Sequence, residues 1–146
     1  MKKILFVCQA NVGRSQMAEA FFNFHTGTQD ASSAGVEDFR EKYHHRSTME
    51  IINTMLEKGI DISKQRINYL DQSMVKEADL IIVLCNKDLC PNFLLNSKKV
   101  IFREVKDPHQ KSENIIRQIR DEIEKLTLKI LNNSKNISGS LTRLVN

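Results

Sequence analysis

The sequence predicts an α/β fold in which a parallel β-sheet carries helices on both of its faces. Short apolar runs alternate with stretches of helical periodicity, giving the order β-α-β-α-β-α-β-α. The two strongest runs, Ile4–Cys8 and Leu80–Leu84, are continuously apolar, as expected for strands that are buried on both faces. This order predicts right-handed crossovers and a three-layer arrangement.

Each element has its own signal in the sequence. The predicted strands are Ile4–Cys8, Ala31–Ala34, Asp79–Leu84 and Val100–Phe102. The predicted helices run from Arg14 to about His25, from Met49 to Leu56, from Ser73 to Ala78, and from a cap near Ser112 to about Ile130. Between the second strand and the second helix, the polar stretch Val36–Arg46 has no clear period, and we expect it to form a rim at the sheet edge.

Two helices carry predictions that the structure can check. Ser47–Glu50 has the signature of a capping box, and Gly59 is a typical residue after a helix end. We expect the stripe that follows the box to pack in the core; its members are Met49, Ile52 and Leu56. The last helix shows a longer apolar stripe with charges on its other face; the stripe consists of Ile116, Ile119, Ile123, Leu126 and Ile130.

Composition limits the class of protein. The 146 residues suffice for one domain with a core, which we assign to residues 1–135, and 136–146 continue an Asn- and Ser-rich stretch that we expect to be a frayed, disordered tail. A net charge of +4 without a basic stripe predicts no nucleic-acid partner, and the short apolar runs predict no membrane span. Without a signal peptide we expect a cytoplasmic protein, in which three cysteines are more often catalytic than structural.

The loop that follows the first strand is the strongest candidate site. Cys8 opens this loop and Arg14 closes it before a helix begins. The loop amides and the helix N-terminus form a nest for a small oxyanion, and the Arg14 guanidinium can hold two of its oxygens. The same field favours the thiolate form of Cys8, a nucleophile directly below the anion. The predicted oxyanion-binding residues are Gln9, Ala10, Asn11, Val12, Gly13, Arg14 and Ser15.

The stretch Cys8–Phe21 resembles the low-molecular-weight protein tyrosine phosphatases and their relatives, the thioredoxin-coupled arsenate reductases. Four further segments agree in order along the chain: Ser33–Gly35, Gly59–Ser63, Ala78–Val83 and Asp107–Pro108. The resemblance implies a flavodoxin-like fold with a four-stranded parallel sheet, and makes residues 1–135 a catalytic domain. It also implies that Asp107 is the general acid at the pocket mouth and that the Ser33 hydroxyl bonds Asn11 to support the loop. Asn11 suits such a place because its side chain tolerates a left-handed backbone.

Two activities can share this machinery. In the reductases that the chain resembles, Cys8 would form an arseno-thiol adduct, and Cys85 and Cys90 would complete a disulfide relay that thioredoxin regenerates. In the phosphatases, Cys8 would form a phosphocysteine that water hydrolyses. We favour the reductase, because all three cysteines fall at matching positions and His109–Gln110 stand where phosphatases usually carry an aromatic pair. The predicted substrate is arsenate or a phosphate ester, with no bound cofactor and thioredoxin as external reductant.

Some features depart from the pattern or suggest other readings. Ala10 stands where relatives usually have glycine, so the loop could be less open, and Gly13 stands where many have a second cysteine. If the segment Asn86–Leu89 is helical, it must unwind before a Cys85–Cys90 disulfide can form. The adjacent His44 and His45 lack matched ligand spacing, so we predict no metal site. The remaining hypothesis is a catalytically silent anion-binding module.

Overall fold

The computed structural model describes residues 3–136, with side chains through residue 133. Four parallel strands form one sheet, β1 (Ile4–Cys8), β2 (Ala31–Gly35), β3 (Leu80–Val83) and β4 (Val100–Phe102). Their order across the sheet is β2-β1-β3-β4, and every pairing is parallel. The predicted α/β, flavodoxin-like fold with a four-stranded parallel sheet is therefore confirmed. Most of the tail predicted for 136–146 lies outside the described residues.

Five helices and one short 3₁₀ turn connect and cover the strands. They are α1 (Arg14–Thr26), α2 (Met49–Leu56), α3 (Gln72–Glu77), the turn Lys87–Leu89, α4 (Asn92–Leu95) and α5 (Glu113–Asn136). The chain moves from β1 to β2 in one direction and from β2 to β3 and β4 in the other, so right-handed crossovers place α1 on one face and α3 and α4 on the opposite face. Both α1 and α2 pack against α5, while α3 contacts α4.

The core lies on both sides of the two central strands. Every residue of β1 and β3 is buried, with Phe6 and Ile82 fully inaccessible. Val7 stands between Ala34 of β2 and Val83 of β3, which brings the C-terminal ends of three strands to one edge. That edge carries the loop after β1. No helix in the part of the chain that the structure describes is long and apolar enough to cross a bilayer.

The structure corrects two predictions about α2. Met49 and Leu56 are 64% and 49% exposed, and the helix instead buries Ile51, Ile52 and Met55. The capping box is also wrong: Thr48 is the N-cap residue, its side chain makes no capping bond, and the neighbouring Ser47 hydroxyl donates to the carbonyl oxygen of Val12 at 2.7 Å. Contacts with α5 select the buried face of α2.

The last helix begins as predicted and continues to Asn136, beyond the predicted end near Ile130. α5 begins at Glu113, and the Ser112 Oγ accepts a bond from the Ile115 amide at 3.3 Å. Four of the five predicted stripe residues are buried and Leu126 is partly buried; the buried ones are Ile116, Ile119, Ile123 and Ile130. The stripe faces α1, α2 and the sheet.

Candidate active site

Cys8 ends β1 with its sulfur turned into the loop that follows. The Cys8 Sγ lies 2.9 Å from the Ser15 Oγ and accepts a bond from the Asn11 amide at 3.3 Å. Asn11 has φ of 59°, a left-handed conformation that asparagine tolerates better than most residues. Ala10 does not have a positive φ, so the alanine causes no backbone strain there. The loop therefore curls around the sulfur.

The Asn11 side chain holds the loop in this shape. Its Oδ1 accepts bonds from the Asn68 amide at 2.8 Å and from the Gln16 Nε2 at 3.1 Å. Its Nδ2 donates to the Ser15 Oγ at 2.7 Å. Because all polar atoms of the Asn11 side chain are satisfied in a fully buried position, the loop geometry is fixed before any ligand arrives.

The predicted bond from Ser33 to Asn11 is wrong. The Ser33 hydroxyl donates to the Glu19 Oε1 at 2.8 Å, because Ser33 lies on β2 under α1, where the Glu19 carboxylate is half-buried. Burial raises the pKa of Glu19, and the bond from Ser33 partly offsets that effect. Ser33 still supports the loop indirectly, since its carbonyl accepts from the Asn68 Nδ2 at 2.9 Å.

Two glycines allow close packing around the loop. A Cβ on Gly35 would lie 2.7 Å from the carbonyl carbon of Ala10 and 2.9 Å from the amide nitrogen of Asn11. A Cβ on Gly13 would lie 2.9 Å from the Pro108 Cγ. Gly35 therefore lets β2 run directly behind the loop. Gly13, the position where relatives often have cysteine, lets Pro108 close over it.

Arg14 is buried with one end of its guanidinium fixed by main-chain carbonyls. Its Nη1 donates to the Val105 oxygen at 2.9 Å and, more weakly, to the Leu84 oxygen at 3.4 Å. Its Nη2 lies 3.9 Å from the Asp107 Oδ2. Only 7% of the residue is exposed. The carbonyls hold Nη1, which leaves the Nη2 side of the fork facing the pocket and Asp107.

Asp107 stands at the mouth of the pocket that the loop encloses. Its side chain is 52% exposed, and its Oδ1 accepts a bond from the His109 amide at 3.0 Å. An exposed carboxyl group near a buried guanidinium can exchange protons with water and with a bound oxyanion. The structure thus brings Cys8, Arg14 and Asp107 to one cavity.

The cavity has a volume of about 200 Å³, larger than a tetrahedral oxyanion needs. Loop residues form its floor, and side chains from the 36–46 segment, α2, the 107–110 loop and α5 form its walls. Those wall residues are Phe39, Lys42, Tyr43, Thr48, Glu50, Ile51, Asp107, Pro108, His109, Gln110 and Ile116. The rim predicted for Val36–Arg46 is therefore present, and it places two aromatic rings, Phe39 and Tyr43, beside the anion site.

Cys85 and Cys90 are buried next to each other and do not line the cavity. Cys85 follows β3 at the edge where Cys8 ends β1, and it is 1% exposed, while Cys90 is 9% exposed. Burial raises the pKa of Cys85 to about 12; the neighbouring Cys90 and Cys8 add to this shift and Arg14 opposes it. Burial also raises the pKa of Cys90, which an interaction with Cys85 partly offsets. All three thiols are free.

The segment between these two thiols is a single 3₁₀ turn, Lys87–Leu89, and not an α-helix. Residues 86–89 are all exposed, and the Asn86 Oδ1 accepts from the Asp88 amide at 2.8 Å. The Cys90 thiol makes a weak contact of 3.9 Å with the Asn86 carbonyl oxygen. That this segment must unwind before a Cys85–Cys90 disulfide can form stays a prediction. The part that would unwind is this single exposed turn.

Some residues of the site were missed by the sequence analysis. Gln16, fully buried, could have been noticed as a polar residue on the first turn of α1 directly after the loop. No sequence signal identifies Asn68 or the carbonyls of Leu84 and Val105 as site groups. They lie 57 to 91 residues along the chain from the loop residues that they contact. Among the described residues no three His, Cys, Asp or Glu side chains form a metal site, and His44 and His45 instead make a turn with φ of 52° and 64°.

Comparison with known proteins places these features in a family. A sequence model described as low molecular weight phosphotyrosine protein phosphatase matches residues 3–138. An arsenate reductase of Halalkalibacterium halodurans is 33% identical over 132 residues, covering 85% of this chain and 91% of the relative. The crystal structure of an arsenate reductase from Archaeoglobus fulgidus has a TM-score of 0.73 and 31% identity, covering 89% of this chain and 99% of that one.

A phosphatase structure is similar to the same extent. The YwlE arginine phosphatase, in a mutant form with a phosphorylated active-site serine, has a TM-score of 0.80 and 26% identity. The alignment covers 93% of this chain and 97% of that protein. Overall similarity therefore does not separate the two activities, and the distinction depends on individual side chains.

Proposed function

The chain belongs to the low molecular weight phosphotyrosine protein phosphatase family, which includes its arsenate reductase relatives, and on this basis we propose that it is an arsenate reductase. The observation that carries the proposal is the placement of Cys85. A second, buried thiol lies at the same sheet edge as Cys8, and a third, Cys90, lies beside it. A phosphatase uses neither of these thiols.

The first step is formation of the arsenic adduct. Arsenate binds to the loop amides and to Arg14, and the Cys8 thiolate attacks arsenic. One arsenic–oxygen bond breaks, and the oxygen leaves as water with a proton from Asp107. Ser15 and the Asn11 amide, which contact the sulfur, stabilise its negative charge before the attack.

The second step transfers two electrons to arsenic. The Cys85 sulfur attacks the Cys8 sulfur, and the proton of the Cys85 thiol passes to an oxygen bound to arsenic. A Cys8–Cys85 disulfide forms, and the electron pair of the arsenic–sulfur bond stays on arsenic, which leaves as arsenite. Cys90 then attacks Cys85 and releases Cys8 as thiolate. An external dithiol protein, for which we propose thioredoxin, reduces the Cys85–Cys90 disulfide.

The burial of Cys85 keeps this thiol out of the first step. With its pKa raised to about 12, the thiol is protonated at neutral pH and does not compete with Cys8 for the substrate. Arg14 favours the thiolate form of Cys85. The same guanidinium therefore holds the substrate for Cys8 and helps Cys85 to ionise. Such a relay needs thiols that are kept reduced, and we therefore propose the cytoplasm as its compartment.

A protein phosphatase is the second candidate. Phe39 and Tyr43 line a cavity that is larger than an oxyanion, so a phosphorylated side chain has room and an aromatic wall to contact. In this reaction Cys8 attacks phosphorus, Asp107 protonates the leaving group, and water hydrolyses the phosphocysteine. Neither Cys85 nor Cys90 takes part.

One assay separates these candidates. We expect wild-type protein to oxidise NADPH in the presence of arsenate, thioredoxin and thioredoxin reductase, and Cys90→Ser to stop after about one turnover. An aryl phosphate assay on the same two proteins measures phosphatase activity, which Cys90→Ser should leave intact. Brisk aryl phosphate hydrolysis without arsenate-dependent NADPH oxidation would overturn the reductase in favour of the phosphatase.

The control for both assays is Cys8→Ser, which removes the nucleophile. Both activities should be lost in this variant. If wild type and Cys8→Ser are equally inactive in both assays, the chain is an anion-binding module without catalysis.

A further inference from the structure

An unbroken series of side-chain hydrogen bonds leads from the edge of the 60–70 loop to the sulfur of Cys8. Its members are Gln65, Gln16, Asn11, Ser15 and Cys8, with successive distances of 2.6, 3.1, 2.7 and 2.9 Å. We propose that Gln16 is a positioning residue, which acts through Asn11 and Ser15 to direct the Ser15 proton onto the Cys8 sulfur. The proposal rests on the role of Cys8 as nucleophile.

The orientation of the Asn11 amide fixes the last bond. The Asn68 main-chain N–H can only donate, and it lies 2.8 Å from the Asn11 Oδ1, so that end of the amide must be oxygen. The Nδ2 end then faces the Ser15 Oγ and donates to it at 2.7 Å. Because the Ser15 oxygen accepts this bond, its own proton is free for the Cys8 Sγ at 2.9 Å.

The orientation of Gln16 is fixed in the same way. The Arg66 carbonyl oxygen can only accept, and it lies 2.9 Å from the Gln16 Nε2. That nitrogen also donates to the Asn11 Oδ1, while the Gln16 Oε1 accepts from the Gln65 Nε2. Every group in the series therefore donates toward Cys8, and aligned donors polarise one another.

Burial makes the series sensitive to a missing member. Gln16, Asn11 and Ser15 are all fully inaccessible, so water cannot replace a lost donor. Without the Gln16 side-chain amide, the Asn11 Oδ1 keeps only its bond from the Asn68 main-chain N–H. The Asn11 side chain is then held less firmly in the orientation that donates to Ser15. The Ser15 hydroxyl can then turn away from the sulfur, and the thiolate loses stabilisation.

The test is the alkylation rate of Cys8 by iodoacetamide, followed by mass mapping at several pH values. We expect Gln16→Met to react on the order of tenfold more slowly than wild type at pH 7, the effect of weakening a bond to a charged group. The difference between the two rates should narrow as the pH is raised, because hydroxide then removes the thiol proton without help from the series. Gln118→Met, at an exposed glutamine of α5, should match wild type throughout.

Two results would overturn the proposal. One is a wild-type rate for Gln16→Met at pH 7; the other is a reduction that is equal at every pH, which indicates altered access alone. If Gln16→Met does not fold, Gln65→Met tests the partly exposed end of the series. We expect this variant to reduce the alkylation rate of Cys8 about twofold at pH 7, and an unchanged rate would contradict the proposal. The assay contains no arsenate, so loss of the reductase proposal would leave this result standing.

Discussion

At the scale of single residues, Gly35 determines how closely the sheet approaches the anion loop. We expect Gly35→Ala to weaken phosphate binding by about tenfold or more, because its Cβ would lie 2.7 Å from main-chain carbon of Ala10 and must displace the loop. Isothermal titration with phosphate measures the change.

The matched control is Gly59→Ala, at a glycine with φ of +76° and no neighbour within 4 Å, which should cost about 1 kcal/mol of stability and leave affinity unchanged. Equal affinities for wild type and Gly35→Ala would contradict this account.

A second residue-scale prediction concerns Cys85 and alkaline pH. The pKa of this thiol is raised from 9.0 in the unfolded reference to about 12 by burial, so the folded protein keeps a proton that the unfolded chain releases. Its contribution to stability is complete below pH 9 and is lost as pH rises from about 9 toward 12. Urea unfolding at several pH values should show a steeper decline for wild type than for Cys85→Ala. Parallel declines would indicate that the thiol ionises freely in the folded state.

Single residues were predictable where the local chain decides their conformation. Asn11 was identified from its residue type as suited to a left-handed place in a tight loop, and its φ is 59°. The partner of Ser33 was predicted wrongly, because a hydroxyl can bond any acceptor in reach and the half-buried Glu19 carboxylate on α1 is a stronger one.

At the scale of elements, the turn between Cys85 and Cys90 is the piece that the proposed relay has to move. The Leu89 and Cys90 amides donate to the Asn86 and Lys87 carbonyls at 3.1 and 3.0 Å. We expect oxidation to the Cys85–Cys90 disulfide to break this turn and to speed hydrogen exchange of both amides by about tenfold. The Ile81 amide of β3, bonded to the Lys99 carbonyl at 3.0 Å, should exchange as before. Unchanged exchange at Leu89 and Cys90 would show that the disulfide fits without unwinding.

The strands and the first three helices were predicted to within one or two residues, but α5 continues past the predicted end near Ile130 to Asn136, and α4 was not predicted. The buried face of α2 was predicted wrongly. A short apolar helix offers more than one candidate stripe, and its spacing fits a face containing Met49 as well as one containing Met55. The choice between them comes from α5, which is far along the chain, and from the cavity wall that Ile51 completes. The partner of Ser47 was likewise decided by a residue distant in the sequence, because its hydroxyl donates to the Val12 carbonyl oxygen and does not cap the helix.

At the scale of the whole molecule, the resemblance implied a four-stranded parallel sheet, and the sequence pattern indicated the alternation of strands and helices. Neither showed how the site is assembled. Arg14 meets carbonyls that are 70 and 91 residues away, and Asn11 meets an amide 57 residues away. Main-chain carbonyls carry no residue-type signal, so no sequence pattern predicts them. The reactive residues could be named from the loop alone, while the groups that orient them required the fold.

Because these groups come from the whole length of the described chain, anion binding should stabilise the whole fold. Phosphate at a hundredfold excess over its dissociation constant should add about 2.7 kcal/mol and raise Tm by about 5 to 10 °C. Differential scanning calorimetry with and without phosphate measures this shift. Arg14→Met should remove most of it, and an equal shift in that variant would place the anion elsewhere.

The carbonyl of Leu84 has a consequence for the order of events in a catalytic cycle. It accepts from the Val105 amide at 2.9 Å and from Arg14 at 3.4 Å, and the same peptide plane contains the nitrogen of Cys85. A backbone rotation that carries Cys85 toward another sulfur must also turn this oxygen away from the guanidinium. We therefore expect the oxidised protein to bind phosphate more weakly than the reduced one, by about fivefold or more, and bound phosphate to oppose oxidation by the same factor. Titrating Cys8→Ser with phosphate in both redox forms measures the difference. Such a difference would make the oxidised enzyme release its anion before the disulfide is reduced.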